Sequence, residues 1–274
     1  QHQGQLTEAQ RCYERVVELA SERTAVCFQA HCSLGSVLET LGKLEQAVQS
    51  YKHALGINPE HPELYYNLGN VLGRQNRPEE AMAHYRQAVR IKPDFADAYN
   101  NLGHLLKAQN RLDEAMTNYR QAITIQPDFA DAHYNLGICL KEQRQFEQAI
   151  AAYKMALKFA PNDADIHNNI GVAFELSWRL EESRASLNQA LHINPHHADA
   201  RSNLGNTLRK LGRLDEAITS FQKAIALQPN FPVAHFNLSL VYLVQGKFKE
   251  GWSEYQWKWL RDGKVRPLPP TPWD

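Results

Sequence analysis

A short motif that returns every 34 residues constrains this chain more than any other feature of its sequence. Asparagine, an aliphatic residue and glycine stand together at Asn67-Leu68-Gly69, Asn101-Leu102-Gly103, Asn135-Leu136-Gly137, Asn169-Ile170-Gly171 and Asn203-Leu204-Gly205. A period of this length indicates a tandem array, because one such repeat is a supersecondary element that cannot bury its apolar face alone. A single compact core of 274 residues would approach its size limit, whereas an array grows by stacking.

Each repeat is predicted to hold two antiparallel helices. With repeats beginning at residues 28, 62, 96, 130, 164, 198 and 232, small residues recur at positions 8 and 20, which lets two helices approach closely. Position 8 holds Gly35, Gly69, Gly103, Gly137, Gly171, Gly205 and Ser239, and position 20 holds Ala47, Ala81, Ala115, Ala149, Ser183, Ala217 and Gly251. Large residues at position 24 fill the remaining space: Tyr51, Tyr85, Tyr119, Tyr153, Leu187, Phe221 and Tyr255.

Turn residues separate the predicted helices. A proline at position 32 ends the second helix of six repeats, at Pro59, Pro93, Pro127, Pro161, Pro195 and Pro229. Position 15, between the two helices, holds residues that tolerate a left-handed helix cap: Gly42, Asn76, Asn110, Gly212 and Gly246. Arg144 and Trp178 break this rule, so those turns are either strained or of another geometry, and Trp178 is expected to be partly exposed.

These positions together resemble the tetratricopeptide repeat family, and the resemblance covers almost the whole chain. It implies an all-α fold, a right-handed α-solenoid of tandem helix-turn-helix repeats. The predicted division is a partial repeat with a connection over 1–27, seven repeats over 28–265, and a proline-rich tail over 266–274. The seven repeats are 28–61, 62–95, 96–129, 130–163, 164–197, 198–231 and 232–265.

Charge and composition disfavour several partners. The 30 basic and 30 acidic residues balance, so no net field favours nucleic acid or an anionic membrane. No apolar run is long enough to cross a bilayer and no segment resembles a signal peptide, so a cytoplasmic location is predicted. Four cysteines, at Cys12, Cys27, Cys32 and Cys139, lack metal-ligand spacing and are predicted to be reduced thiols on helices.

Both ends depart from the regular repeat. Residues 3–19 match the second half of a repeat with Gly4 at its turn, and more repeats are expected before Gln1. Extra residues between Leu19 and Phe28 predict either a longer connection or an extended following helix.

The last repeat places Trp252, Trp257 and Trp259 in one predicted helix, which the tail or a further domain should cover. With Trp178, these residues are candidate contacts to a partner or domain. The Gly-Trp, Glu-Tyr and Trp-x-Trp sequence before a proline-rich stretch resembles the junction in bacterial proteins where such repeats precede a glycosyltransferase-type domain. That resemblance implies such a domain after Asp274 in a longer polypeptide.

Position 6 predicts a binding surface. In the tetratricopeptide repeat family the first helix of each repeat lines a concave face, where Asn67, Asn101, Asn135, Asn169, Asn203 and Asn237 would form a ladder. Helices pack roughly 8 to 10 Å apart and an extended peptide advances about 3.3 to 3.6 Å per residue, so one amide would meet roughly every third peptide residue. An amide offers a donor and an acceptor, which suits sequence-tolerant binding of an extended segment.

A comparable ladder is a feature of the repeats of O-linked N-acetylglucosamine transferases, which use it to hold protein substrates. The resemblance implies that role for these asparagines. The alternative is that the amides bond within or between helices. The rest of the predicted lining is polar and aromatic, from Tyr66, Asn70, Tyr134 and Asn206, with positive charge from Lys107, Lys141 and Arg209. No lysine stands at position 2 or 5, which disfavours the carboxylate-binding mode of some family members.

No catalytic, metal or cofactor site is predicted. Four of the twelve histidines, at His31, His133, His167 and His235, occupy position 4, where sibling repeats place tyrosine. The run of His192, His196 and His197 spans a turn between repeats, and the sequence holds no phosphate loop or nucleophile elbow.

The leading functional hypothesis is a protein-interaction scaffold whose asparagine-lined groove binds an extended peptide, as the substrate-recognition region of a larger glycosyltransferase. The alternative is an assembly scaffold that binds folded partners, or its own copies, through its convex face or its tryptophan-rich last repeat.

Overall fold

The structure is a computed structural model that describes residues 2–19 and 24–263, and in these ranges it is helical without strands. The chain divides into an N-terminal body, Gln1–Pro127, and a C-terminal body, Asp128–Asp274. The helices of the first are α1 (His2–Leu19), α2 (Ala25–Thr40), α3 (Leu44–Ile57), α4 (Pro62–Arg74), α5 (Pro78–Ile91), α6 (Ala96–Ala108) and α7 (Leu112–Ile125). Those of the second are α8 (Ala130–Glu142), α9 (Phe146–Phe159), α10 (Ala164–Leu176), α11 (Leu180–Ile193), α12 (Ala198–Lys210), α13 (Leu214–Leu227), α14 (Pro232–Val244), α15 (Phe248–Tyr255) and α16 (Lys258–Arg261).

Consecutive helices pack in pairs, and each pair stacks on the next within its body. In the N-terminal body, α2 pairs with α3, α4 with α5 and α6 with α7, while α1 packs on α2. In the C-terminal body the pairs are α8 with α9, α10 with α11, α12 with α13 and α14 with α15. The predicted fold class, an all-α array of tandem helical repeats, is confirmed. None of the helices in the described ranges has both the length and the apolarity needed to cross a membrane.

Glycine at position 8 and a large residue at position 24 set the spacing within a pair. A Cβ atom added to Gly137 would lie 2.5 Å from Cε1 of Tyr153, a ring that is fully buried. The same meeting recurs with Phe221 at Gly205 and with Leu187 at Gly171. No larger side chain fits between these helices, so the packing role predicted for position 8 is confirmed.

The turns between paired helices share one geometry. Glycine has positive φ at Gly42, Gly212 and Gly246, and so do Asn76 and Asn110. Arg144 and Trp178 adopt the same conformation, with φ of 61° and 62°, although neither is glycine or asparagine. Of the two predicted alternatives, these turns are therefore the strained one, since a side chain beyond Cβ is disfavoured in the left-handed region.

Three local expectations at the ends were tested by the structure. Gly4 was expected at a turn, but it lies inside α1, so that expectation is wrong. Helix α2 begins at Ala25, which is the extended helix that the extra residues allowed. Residues 20–23 and the proline-rich tail, 266–274, lie outside the described ranges.

The three tryptophans of the last repeat do not share one helix, as was expected. Trp252 lies in α15, Trp257 caps the start of α16, and Trp259 lies within it. The backbone changes pitch at Trp257, whose N–H donates to the carbonyl of Glu254 three residues back. There the Trp257 ring stacks on His235 with centroids 4.1 Å apart, and Glu254 meets the same imidazole at 2.5 Å. Both contacts with α14 hold the chain where a continuous helix would not place it.

Candidate functional site

The candidate binding residues lie on the first helix of each pair. In the N-terminal body Tyr66, Asn67 and Asn70 lie on α4, and Asn101 and Lys107 lie on α6. In the C-terminal body the remaining candidates occupy four helices: Tyr134, Asn135 and Lys141 on α8, Asn169 on α10, Asn203, Asn206 and Arg209 on α12, and Asn237 on α14. All six asparagines at position 6 are half-buried.

In the N-terminal body one asparagine ties two repeats together. The Nδ2 group of Asn101 donates to the Tyr66 hydroxyl at 3.2 Å and to Oδ1 of Asn70 at 3.1 Å. The same Asn70 oxygen accepts from the Tyr85 hydroxyl at 2.7 Å. Both N–H groups of Asn101 are thus used inside the protein, and its Oδ1 accepts no hydrogen bond from any described residue.

In the C-terminal body Asn169 is held more firmly. Its Nδ2 group donates to the Tyr134 hydroxyl and to the main-chain carbonyl of Asp165, both at 3.0 Å. Its Oδ1 accepts from the Lys141 ammonium at 2.7 Å. Asn169 therefore bonds to two side chains of α8, the first helix of the preceding repeat.

The next step of the ladder repeats this arrangement with a different acceptor. Asn203 Nδ2 on α12 donates to Oδ1 of Asn168 on α10 at 2.9 Å, and Asn168 is buried. Asn168 was not among the predicted site residues, although it occupies position 5 like Tyr66 and Tyr134. That shared position is the sequence signal that could have identified it.

The residue at position 5 of the preceding repeat decides which asparagines are bonded. Tyrosine or asparagine there accepts from Asn101, Asn169 and Asn203. Asn67 and Asn237 follow repeats with Cys32 and Ser202 at that position, and neither forms a side-chain hydrogen bond with a described residue. Cysteine is a weak acceptor and serine is short, so an amide in the next repeat finds no partner.

The surroundings keep the tyrosines neutral. Burial raises the pKa of Tyr85 well above its ordinary value. Burial also raises the pKa of Tyr134, and the nearby Asp165 carboxylate adds to the effect. Burial, followed by the charge of Lys107, lowers the pKa of His104 on the same helix as Asn101. At neutral pH the ladder is therefore a surface of neutral polar groups with lysine beside it.

The predicted tryptophan contacts lie outside the ladder. Trp178 is 73% exposed at the turn between α10 and α11, and Lys210 lies over its ring at 5.0 Å. Trp252 is 58% exposed and meets Tyr255 edge-on, whereas Trp257 and Trp259 are half-buried. Of the other ladder neighbours, Asn206 and Arg209 are half-buried on α12, and Arg209 Nε has no hydrogen-bond partner.

The histidines and cysteines have structural surroundings. His197 caps α12, its ring nitrogen accepting from the main-chain N–H of Ala200. The four cysteines carry reduced thiols. Within residues 2–19 and 24–263, no three histidine, cysteine, aspartate or glutamate side chains come together as metal ligands would.

Solved structures share this architecture. YrrB, a tetratricopeptide repeat protein with an unusual peptide-binding site, is 26% identical over 68% of this chain and 96% of its own, with a TM-score of 0.60. MamA is 24% identical over 62% of this chain and 93% of its own, with a TM-score of 0.58. PilF of Pseudomonas aeruginosa is 20% identical over 76% of this chain and 94% of its own, with a TM-score of 0.65.

Comparison with curated proteins gives no match. The family described as the cilia and flagella-associated protein 70 C-terminal domain matches residues 29–230, which is well over half of the chain. The matched residues run from α2 into the loop after α13 and include five of the six ladder asparagines. This chain is a tetratricopeptide repeat protein and belongs to the family of the cilia and flagella-associated protein 70 C-terminal domain.

Proposed function

We propose that this chain is a protein-interaction scaffold and that the asparagines at position 6 bind the backbone of an extended peptide. One observation carries the proposal: the amides of Asn101 and Asn203 are held by the preceding repeat while their Oδ1 atoms accept no bond from a described residue. An oxygen fixed in this way is a preorganised acceptor for a peptide N–H group.

Preorganisation strengthens such binding because the protein side chain loses little freedom when the ligand arrives. Every residue of a peptide except proline carries a backbone N–H, so recognition by these oxygens tolerates many side chains. Lys141, which bonds to Asn169, adds a positive charge that favours acidic or carbonyl groups beside the peptide backbone. YrrB, which is 26% identical, carries a peptide-binding site on the same fold, and this likeness supports the proposal.

The test begins with selection of random 15-residue peptides displayed on phage against the full chain. Enriched peptides are synthesised and their affinity is measured by fluorescence anisotropy. Replacement of Asn135, Asn169 and Asn203 together by alanine should weaken binding by about tenfold or more, since several backbone bonds are lost at once. Asn188→Ala, an exposed amide on the second helix α11, is the matched control and should bind as wild type.

Asn237→Ala separates binding from folding, because Asn237 has no hydrogen bond with a described residue and its removal breaks no internal contact. It should weaken binding without lowering stability if the peptide reaches α14. Unchanged affinity in the triple variant, with helical circular dichroism retained, would remove the ladder from the function.

A second candidate function rests on exposed apolar side chains of the last repeat. Val244, Phe248, Trp252 and Leu260 are 74%, 62%, 58% and 50% exposed, and exposed apolar groups of this size mark interaction surfaces. We propose that they bind a folded partner or a second copy. Phe248→Ser with Trp252→Ser should abolish self-association in sedimentation experiments, and a wild type that is monomeric at all concentrations would exclude the second copy.

The link to a glycosyltransferase remains a proposal carried by the sequence around Trp252, Trp257 and Trp259. In that arrangement the ladder would present a captured segment for sugar transfer by a domain of the same polypeptide. The test is incorporation of labelled sugar from a nucleotide sugar into a ladder-binding peptide by the full-length polypeptide. Equal incorporation with the triple asparagine variant would contradict it.

A further inference from the structure

Trp178 occupies a position that its own chemistry disfavours. It has φ of 62° at a turn where three sibling repeats place glycine and two place asparagine, and its side chain is 73% exposed. A bulky aromatic residue in this conformation costs on the order of 1 kcal/mol or more, and exposure returns none of that free energy. Backbone strain combined with an exposed aromatic side chain indicates a surface kept for contact.

The ring is held in place on one face only. Lys210 lies over the indole at 5.0 Å, and the same ammonium forms an ion pair with the buried Glu175 at 2.9 Å. This chain of contacts reaches from α10 to α12 and fixes the orientation of the indole. Leu176, 44% exposed, lies two residues away and extends the apolar surface.

Carboxylates outnumber cations around this turn. Arg179, the next residue, forms ion pairs with Glu147 and Glu182 at once. Together with Glu175 and Lys210 these groups make three carboxylates against two cations. A cation already lies on one indole face, so the open face favours an apolar group flanked by positive charge.

We propose that Trp178 and Leu176 form a docking surface for a proline-rich segment, and that residues 264–272 of a second copy of this chain supply it. Their sequence is Lys-Val-Arg-Pro-Leu-Pro-Pro-Thr-Pro. Proline rings present flat apolar edges to an indole, and their restricted φ lowers the entropy lost on binding. The basic residues Lys264 and Arg266 complement the excess of carboxylates around the turn.

The test uses the full chain labelled with ¹⁵N and a synthetic peptide of residues 264–272, which contains no tryptophan. Indole N–H signals are followed by NMR, and the Trp178 signal is assigned from its loss in Trp178→Gly. The peptide should shift that signal in a saturable manner, while a peptide with every proline replaced by alanine should leave it unmoved. No shift at millimolar peptide would overturn the proposal.

Arg144→Gly is the matched control, because it relieves the same backbone strain at the equivalent turn without touching an aromatic ring. Trp178→Gly should weaken peptide affinity by about tenfold or more, measured calorimetrically, whereas Arg144→Gly should leave it unchanged. Equal affinity in both variants would overturn the assignment to Trp178. Since glycine suits this turn, Trp178→Gly should fold at least as stably as wild type.

The second-copy assignment is tested by sedimentation of the full chain over a range of concentrations. Self-association that rises with concentration and is reduced in Trp178→Gly supports it. Peptide binding without self-association would overturn the second copy as the occupant. The ladder is not involved, so failure here leaves the peptide-binding proposal unaffected.

Discussion

Removing the side chain of Asn169 should reveal how much the ladder contributes to stability. Its amide donates to the Tyr134 hydroxyl and the Asp165 carbonyl, and it accepts from Lys141, at distances of 3.0, 3.0 and 2.7 Å. Asn237, at the same position two repeats later, forms no side-chain hydrogen bond with a described residue. Alanine replacement at the two positions therefore differs mainly in the bonds that are lost.

The magnitude follows from these contacts. A net contribution of about 0.5 to 1.5 kcal/mol per hydrogen bond gives about 3 kcal/mol for three, and half-burial reduces this because water replaces part of each bond. Alanine also favours a helix over asparagine by about 0.5 kcal/mol. We expect Asn169→Ala to lower the free energy of unfolding by about 2 kcal/mol. Asn237→Ala should leave it unchanged or raise it by a few tenths of a kcal/mol.

The assay is urea unfolding followed by circular dichroism at 222 nm, with hydrogen exchange of α10 amides to localise the effect. Exchange is informative because repeat arrays unfold in segments, each stabilised by its neighbours. Asn169→Ala should speed exchange in α8 and α10 and leave α14 unchanged. Equal stability of the two variants, within about 0.5 kcal/mol, would refute the conclusion that these bonds join repeats.

The remaining predictions concern packing and pH. Tyr153→Phe should raise the free energy of unfolding by about 1 kcal/mol, because the buried hydroxyl has no partner, whereas Tyr85→Phe should lower it by about 1 kcal/mol by breaking a bond; urea midpoints decide. Gly137→Ala should cost about 1 to 3 kcal/mol by the same measurement, since its Cβ would lie 2.5 Å from the facing ring, while Gly73→Ala, with nothing within 4 Å, should be neutral or stabilising. Burial lowers the pKa of His31, so the unfolded chain takes up the proton more readily and stability should fall as pH drops below about 6.5. Replacing His31 with tyrosine should reduce that slope between pH 7.5 and 5.5, and an unchanged slope would contradict it.

Sequence periodicity predicted the architecture because its cause is local. The contact between Gly137 and Tyr153 lies within one helix pair, and a residue type at a fixed spacing is enough to identify it. The left-handed turn at Trp178 was harder to predict, because the residue disfavours the geometry that the array imposes. The break between α15 and α16 depends on His235, which is distant in sequence from Trp257 and meets it only after folding.

The candidate site was predicted in position but not in bonding. The spacing placed Asn101 and Asn169 on the first helices, where they lie. Their amides bond to position 5 of the preceding repeat, as one of the two sequence alternatives allowed. Choosing between the alternatives requires the register of neighbouring helices and the direction of each side chain, neither of which one sequence specifies.

The bonds between repeats all run in one direction, with the donor in the later repeat and the acceptor in the earlier one. The array is therefore built from modules with unlike ends, and order matters when they are exchanged. A repeat joined after Tyr134 or Asn168 gains its bond by supplying asparagine at position 6, whereas one joined after Cys32 gains none. Recombined arrays would keep their rigidity only where both halves of this connector meet, so the pair of positions is a criterion for choosing where such a chain can be spliced.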